Sequence, residues 1–242
     1  MNLRRLIFLT ENAMEYLHNG FCLDTPSGTF PLSTDSMLLA SFVRLPKSAQ
    51  VLDLGAGCGT LGLLLCAKDR SCHVVGLELD ENSHLAALEN ISRNQLSDRL
   101  SSICCDLRSI PGSVKAGQFT TCVSNPPYFS SGPVSQSTPL ARHESTCAPE
   151  ELFAAADHAL RYGGDFYLVH KPERLAQLCA CAARHHLEPK RLCLVRHREG
   201  GPIALILLAC RKGGKPGLII EELSLFDAGG DPTQAYKDIY HI

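Results

Sequence analysis

The run Val51-Leu52-Asp53-Leu54-Gly55-Ala56-Gly57-Cys58-Gly59 determines how the rest of the chain is read. Val51 to Leu54 is apolar with β-branched character. Gly55, Gly57 and Gly59 then allow a sharp turn and a close approach to a ligand, and Leu61 to Ala67 continues with helical spacing. This predicts strand, loop, helix. By itself the loop is ambiguous, because Gly57-Cys58-Gly59-Thr60-Leu61-Gly62 also satisfies the dinucleotide pattern, with Glu78 at a suitable distance. The order of the downstream motifs narrows it. Glu78 closes a second apolar strand, Val74 to Leu77, and Asp106 follows a third, Leu100 to Cys104. Asn125-Pro126-Pro127-Tyr128 follows a fourth, Phe119 to Ser124.

Outward from this centre, Thr34-Asp35 caps an apolar helix through Met37, Leu38, Leu39, Phe42 and Val43. A helix from about Asn82 to Asn94 places Leu85, Leu88 and Ile91 on one face, and Glu11 to His18 reads as a short helix. Later come a helix from Pro149 to Leu160, a fifth strand Phe166 to His170 and a helix from Pro172 to about His186. The apolar runs Leu192 to Val195 and Ile203 to Cys210, separated by Gly200-Gly201-Pro202, read as a terminal hairpin. The alternation predicts a doubly wound, Rossmann-like α/β fold with a mostly parallel, seven-stranded sheet and one late strand reversed. Residues 1–48 are expected to be an N-terminal extension with a cofactor-closing helix, 49–226 the main domain, and 227–242 a C-terminal tail. Ligands of such sheets bind at the carboxyl ends of the strands, where all these motifs fall.

The set of Asp53, the three glycines, Glu78, Asp106 and Asn125-Pro-Pro-Tyr128 resembles the class I S-adenosylmethionine-dependent methyltransferases that act on an exocyclic or amide nitrogen. At finer resolution the chain is similar to the bacterial tRNA1(Val) adenine-37 N6-methyltransferase family. The matching pieces are Thr34 to Ala40, Val51 to Gly59, Asn125 to Phe129, Ala141-Arg142-His143-Glu144, Lys171-Pro172-Glu173-Arg174-Leu175 and Lys212 to Leu225. Cys22 to Phe30 departs from the family pattern.

The resemblance implies S-adenosylmethionine as cofactor. Thr34 and Asp35 would close over its methionine end, and Asp53, Gly55, Gly57 and Gly59 would cradle it. Glu78 would accept both ribose hydroxyl protons, a role suited to a two-oxygen anion. Leu79 and Leu107 would flank the adenine, whose amino group Asp106 would receive. Asn125 borders this cofactor site and also opens the clamp. Pro126 and Pro127 fix two φ angles and remove two backbone donors, so the carbonyls of this turn have no local competitor. A target amino group donates one proton to the Asn125 side-chain oxygen and one to the Pro126 carbonyl, which aims its nitrogen at the methyl donor. Tyr128 offers a stacking surface for a flipped base, worth roughly 1–3 kcal/mol, and Phe129 a second wall. Arg142 and His143, in a long stretch after the clamp, are candidates to meet phosphate or a base edge.

Composition sets outer limits. The 242 residues, 45% of them hydrophobic, are enough for one sizeable core. Twelve cysteines are scattered without a C-x-x-C pair, which fits reduced thiols in a cytoplasmic protein, and no stretch reads as a membrane span. Net charge is −2, but Lys and Arg against Asp and Glu number 11 to 16 in residues 1–160, 11 to 4 in 161–215 and 1 to 5 in 216–242. The basic block is a candidate phosphate-binding face. Cys179, Cys181, His185 and His186 have spacing compatible with a metal, but small core cysteines and a polar helix end account for them, and no metal is expected. Cytosine C5 chemistry would need a thiolate, and Cys58, the cysteine nearest the motifs, sits inside the cofactor loop.

The expected activity is therefore methyl transfer to the N6 amino group of an adenine in tRNA, with tRNA as partner. Two other readings stand beside it: a protein glutamine N5-methyltransferase, since the same clamp holds a side-chain amide, and a non-catalytic RNA-binding relative.

Overall fold

The computed structural model describes residues 14–17, 20–26, 32–127 and 148–241. Its centre is the strand β3, Gln50–Leu54, where Val51 to Leu54 are all at most 1% exposed. A strand buried on both faces is mainly apolar, with Asp53 the exception here, and such burial requires helices on each side of the sheet. They come in alternation: α1 (Thr34–Phe42), α2 (Thr60–Lys68), β4 (His73–Glu78), α3 (Glu81–Arg93), β5 (Leu100–Cys104), the short α4 (Ile110–Ser113), β6 (Phe119–Ser124), α5 (Pro149–Ala159), β7 (Leu160–His170) and α6 (Leu175–Arg184). Two long strands, β8 (Leu187–Arg198) and β9 (Ile203–Lys212), form the expected hairpin, followed by β10 (Ile219–Phe226) and α7 (Gln234–Tyr240).

The sheet has eight strands in the order β10-β8-β9-β7-β6-β3-β4-β5. Every neighbouring pair is parallel except the two involving β9, which runs against both β7 and β8. The doubly wound fold and the reversed late strand are thus as expected, and the strand count rises from seven to eight. The addition is β10. Leu223 and Leu225 fall on one side of it and pack into the core, and its first two residues, Ile219 and Ile220, are each 61% exposed.

Alternate residues of each strand feed two cores. Val51, Val74, Val123 and Val169 face a layer made by α1, α2, α3 and α7, where Leu38, Leu39, Leu63, Leu65 and Ile91 pack. Leu52, Leu77, Cys122, Phe166 and Leu168 face α4, α5 and α6, where Phe153 meets Phe166 edge-on at 5.2 Å. Among the described residues no helix is long and apolar enough to cross a membrane.

Two local expectations are corrected. Glu15–Tyr16 is not helical but a short strand, β1, paired antiparallel with β2, Cys22–Leu23. In α3 the core face carries Ala86, Ala87, Asn90 and Ile91, while Leu85 is 51% and Leu88 40% exposed. The reason is the loop against which α3 lies: a Cβ added at Gly59 would stand 3.5 Å from the Cβ of Ala87, so the small-residue face of α3 is the one in contact with the loop.

Candidate active site

After β3 the chain turns back over the sheet. The N–H groups of Gly55 and Ala56 both donate to the Leu77 carbonyl at 2.9 Å, which ties the glycine loop to β4. Gly57 has a φ of +55° and Gly59, the residue before α2, one of +85°, both in the left-handed region where side chains are strained. A Cβ at Gly55 or Gly57 would meet nothing within 4 Å, so the loop presents bare backbone to open space. The last glycine of the pattern acts differently. A Cβ at Gly62 would fall 2.6 Å from Leu100 Cδ1, so this glycine permits α2 to lie close on β5.

Two carboxylates stand beside the loop. Glu78, at the carboxyl end of β4, accepts from the Gly57 N–H through Oε2 at 2.7 Å and from the Asp80 N–H through Oε1 at 2.8 Å. One lone pair on each oxygen remains for a ligand, so the backbone aims this carboxylate without saturating it. Asp53 is 1% exposed, and among the described residues neither of its oxygens has a hydrogen-bond partner. Burial, with the Glu78 charge as a lesser cause, pushes its pKa up to about 8. A buried carboxyl in this condition is matched by a cationic ligand group.

Asp106 follows β5 and caps a turn at Leu107–Ser109. Arg108 holds it: Nε donates to Oδ1 at 2.9 Å, Nη2 reaches Oδ2, and the Arg108 N–H adds a bond at 2.9 Å, which together keep its carboxyl below the usual range. A ligand amino group at Asp106 must therefore share the carboxylate with Arg108. Leu79 is 45% exposed beside Glu78, as a platform for a flat ring would be, whereas Leu107 is half-buried against the α5 side of the core.

The clamp lies across the switch point, where the chain, having run outward through β4 and β5, returns to place β6 on the other side of β3. Asp53 pairs in register with Val123, two residues before Asn125. Ser124 Oγ donates to the Leu54 carbonyl at 2.7 Å, which locks the ends of the two strands together directly beneath the clamp. Asn125 is half-buried and donates through Nδ2 to Ser36 Oγ at 3.0 Å; Pro126 is buried. Tyr128, Phe129, Arg142 and His143 lie outside the described residues.

The first turn of α1 reaches the same place. Its N-cap is Ser33, whose Oγ accepts from the Ser36 N–H at 3.2 Å, so Thr34 and Asp35 are not the cap but the first two helical residues. Thr34 Oγ1 accepts from the Tyr240 hydroxyl at 3.0 Å. Burial pushes the Asp35 carboxyl up, with Lys171 opposing.

Four contributors were not singled out from sequence: Ser36, Asn90, Arg108 and Ser124. Asn90, 0% exposed, bonds the Cys58 carbonyl at 3.0 Å and the Asp24 carbonyl at 2.9 Å through Nδ2, and accepts from the Asp24 N–H at 2.8 Å. Its signal was Asn90 and Asn94 four apart on an otherwise small-residue stripe of α3. Cys181 and His185, by contrast, both bond Glu150, which joins α6 to the start of α5.

The family model for the methyltransferase small domain matches residues 31–179, from α1 through the clamp into α6. The chain belongs to the methyltransferase small domain family. It is 31% identical over 182 residues to the tRNA1(Val) (adenine(37)-N6)-methyltransferase of Shewanella halifaxensis (strain HAW-EB4), covering 74% of this chain and 72% of that protein. The protein of the same description from Bacteroides fragilis (strain YCH46) is 33% identical over 174 residues, 71% of this chain and 73% of the other. Among solved structures, a predicted O-methyltransferase from Agrobacterium tumefaciens superposes with a TM-score of 0.72 at 21% identity, over 86% of this chain and 96% of that one. An S-adenosylmethionine-dependent methyltransferase from Aquifex aeolicus gives 0.55 at 11% identity, over 74% and 89%. At these identities the structural likeness is one of fold. The resemblance to methyltransferases expected from the motifs is therefore correct.

Proposed function

We propose that this protein transfers a methyl group from S-adenosylmethionine to the N6 amino nitrogen of an adenine in tRNA, the base at position 37 of tRNA1(Val) being the target named for its relatives. The observation that carries this reading is the register at the switch point, which sets the buried carboxyl of Asp53 and the amide of Asn125 on adjacent strand ends. Methyl transfer needs donor and acceptor within about 3–3.5 Å and in line.

Bound there, S-adenosylmethionine supplies a sulfonium methyl. Asp53 pairs with the cofactor's ammonium group, the bare backbone at Gly55 and Gly57 lets the cofactor lie against the loop, Glu78 takes the ribose hydroxyls, and Asp106 with Leu79 receives the adenine. These assignments fit the orphaned Asp53 oxygens, the open space over Gly55 and Gly57, and the free lone pairs of Glu78. The Asn125 amide nitrogen is engaged by Ser36, so its carbonyl oxygen is the acceptor left for the target amino group, and the Pro126 carbonyl takes the second proton. Transfer would join the nitrogen to the methyl carbon as the carbon–sulfur bond broke, and the surplus amino proton, held at the Asn125 oxygen or the Pro126 carbonyl, would pass to solvent. Tyr128 and Phe129 stack on the extruded base, and Arg142 and His143 contact the RNA around it.

Labelled methyl transfer to tRNA from a strain lacking this protein, followed by nucleoside analysis, tests the reading. N6-methyladenosine made by the wild type and not by Asn125→Ala, with cofactor affinity unchanged to within about threefold, is the expected result. Labelled protein in place of RNA would move the assignment to glutamine N5 transfer, and loss of cofactor binding in Asn125→Ala would remove the clamp role.

A further inference from the structure

The acceptor role of Asn125 has a requirement of its own. A primary amide is nearly symmetric in shape but opposite in polarity at its two ends. Turned by half a revolution about its last bond, Asn125 would present N–H groups to a target amino group, donor against donor, and the clamp would repel its substrate. Something must choose the orientation.

We propose that Ser36 makes that choice and is a positioning residue for methyl transfer. Ser36 is 5% exposed on the first turn of α1, and its Oγ lies 3.0 Å from Asn125 Nδ2 across a separation of 89 residues in sequence. A hydroxyl can accept or donate, so Ser36 alone would not discriminate between the two amide orientations. Ser33 gives the Ser36 hydroxyl proton an acceptor, in a pair where either hydroxyl can donate. Ser33 Oγ stands 3.2 Å from Ser36 Oγ and also accepts the Ser36 N–H as the helix cap. With the Ser36 hydroxyl proton directed to Ser33, the Ser36 oxygen faces Asn125 as an acceptor, and the amide must offer its nitrogen. The carbonyl oxygen is then turned to the substrate side. The cap of the helix that carries Thr34 and Asp35 thereby sets the polarity of the clamp on β6. The inference rests on the reading of Asn125 as an acceptor for the target nitrogen.

The test compares Ser36→Ala, Ser36→Thr and Asn125→Asp, singly and combined, in steady-state methyl transfer, with cofactor binding and thermal denaturation measured in parallel. Ser36→Ala should lower kcat by roughly tenfold to a hundredfold while KM for the acceptor, cofactor affinity and melting temperature stay near wild type. Ser36→Thr, which keeps the hydroxyl, should recover most of the rate. A carboxylate has equivalent oxygens at both ends and no polarity to choose, so in the Asn125→Asp background Ser36→Ala should cost little more. Wild-type kcat in Ser36→Ala, an equal loss in the Asn125→Asp background, or a fall in rate matched by a fall in melting temperature would each overturn the proposal. Absence of turnover by the wild type on any nitrogen acceptor is a different result, and it would overturn the reading of Asn125 on which the proposal stands.

Discussion

Asp53 shows how far a single side chain can be read. Its place before the glycines was visible in the sequence, but its condition was not, because burial without a partner is a property of the packed sheet. The acid titrates near 3.8 in the unfolded chain and at about 8 in the folded one. The folded form then holds a proton that the unfolded form has lost, so stability of the cofactor-free protein should fall as pH rises from about 4 to about 8, with no further change on either side of that window. Asp53→Asn should flatten that slope in denaturation curves; an unchanged slope would show that the group titrates normally. A cationic ligand group favours the charged carboxylate, so its binding expels the proton. Cofactor affinity should therefore strengthen with pH by up to about tenfold per unit below 8, an effect absent in Asp53→Asn and measurable by calorimetry in buffers of different ionisation enthalpy.

At the scale of elements, Asn90 on α3 predicts the cost of losing a brace. Its three bonds hold the Cys58 carbonyl in the glycine loop and both backbone groups of Asp24 beside β2. Asn90→Ala removes these three bonds and should destabilise the fold by roughly 3 kcal/mol, with weaker cofactor binding because the loop loses this support. A change within about 0.5 kcal/mol in chemical denaturation would mean that water replaces the amide without loss. This helix also shows where legibility ends. Strands β3 to β6, helix α2 and the terminal hairpin were readable because apolar runs, glycines and breaks in hydropathy report local conformation directly. The face of α3 was misread because periodicity weighs residues by apolar size, favouring Leu85 and Leu88, whereas contact with a glycine loop demands Ala86, Ala87 and Asn90. Ser36 and Ser124 were invisible for a related reason: a serine acquires its role only through the partner brought to it from 89 or 70 residues away.

For the whole molecule, strand direction divides the basic block in two. Lys171, Arg174, Arg196 and Arg198 lie at the carboxyl edge of the sheet with the candidate site. Arg161, Arg184, Lys190, Arg191, Arg211, Lys212 and Lys215 lie at the opposite edge, where Arg184, Arg191, Arg211 and Lys212 are paired with Glu150, Glu221, Asp165 and Asp157. If tRNA is the substrate, neutralising Lys171, Arg174 and Arg198 to Gln should weaken its binding and reduce the slope of log affinity against log salt by about 1 per lost phosphate contact. Neutralising Arg161, Lys190 and Lys215 should leave both unchanged; equal losses at the two edges would show a charge effect without an interface. The part of the molecule least evident from sequence is the return of residues 227–240 to its beginning. Phe226 meets Tyr236 at a tilt at 5.0 Å, Tyr236 stacks on Tyr240 at 4.4 Å, and the last of them bonds Thr34 across 206 residues. A ribosome making this chain delivers the glycine loop and the clamp early, while the first turn of α1 waits for its brace until residue 240 has emerged. A nascent chain stalled before α7 would thus carry the glycine loop and the Asn125-Pro126-Pro127 turn while the first turn of α1 still lacked its Tyr240 contact.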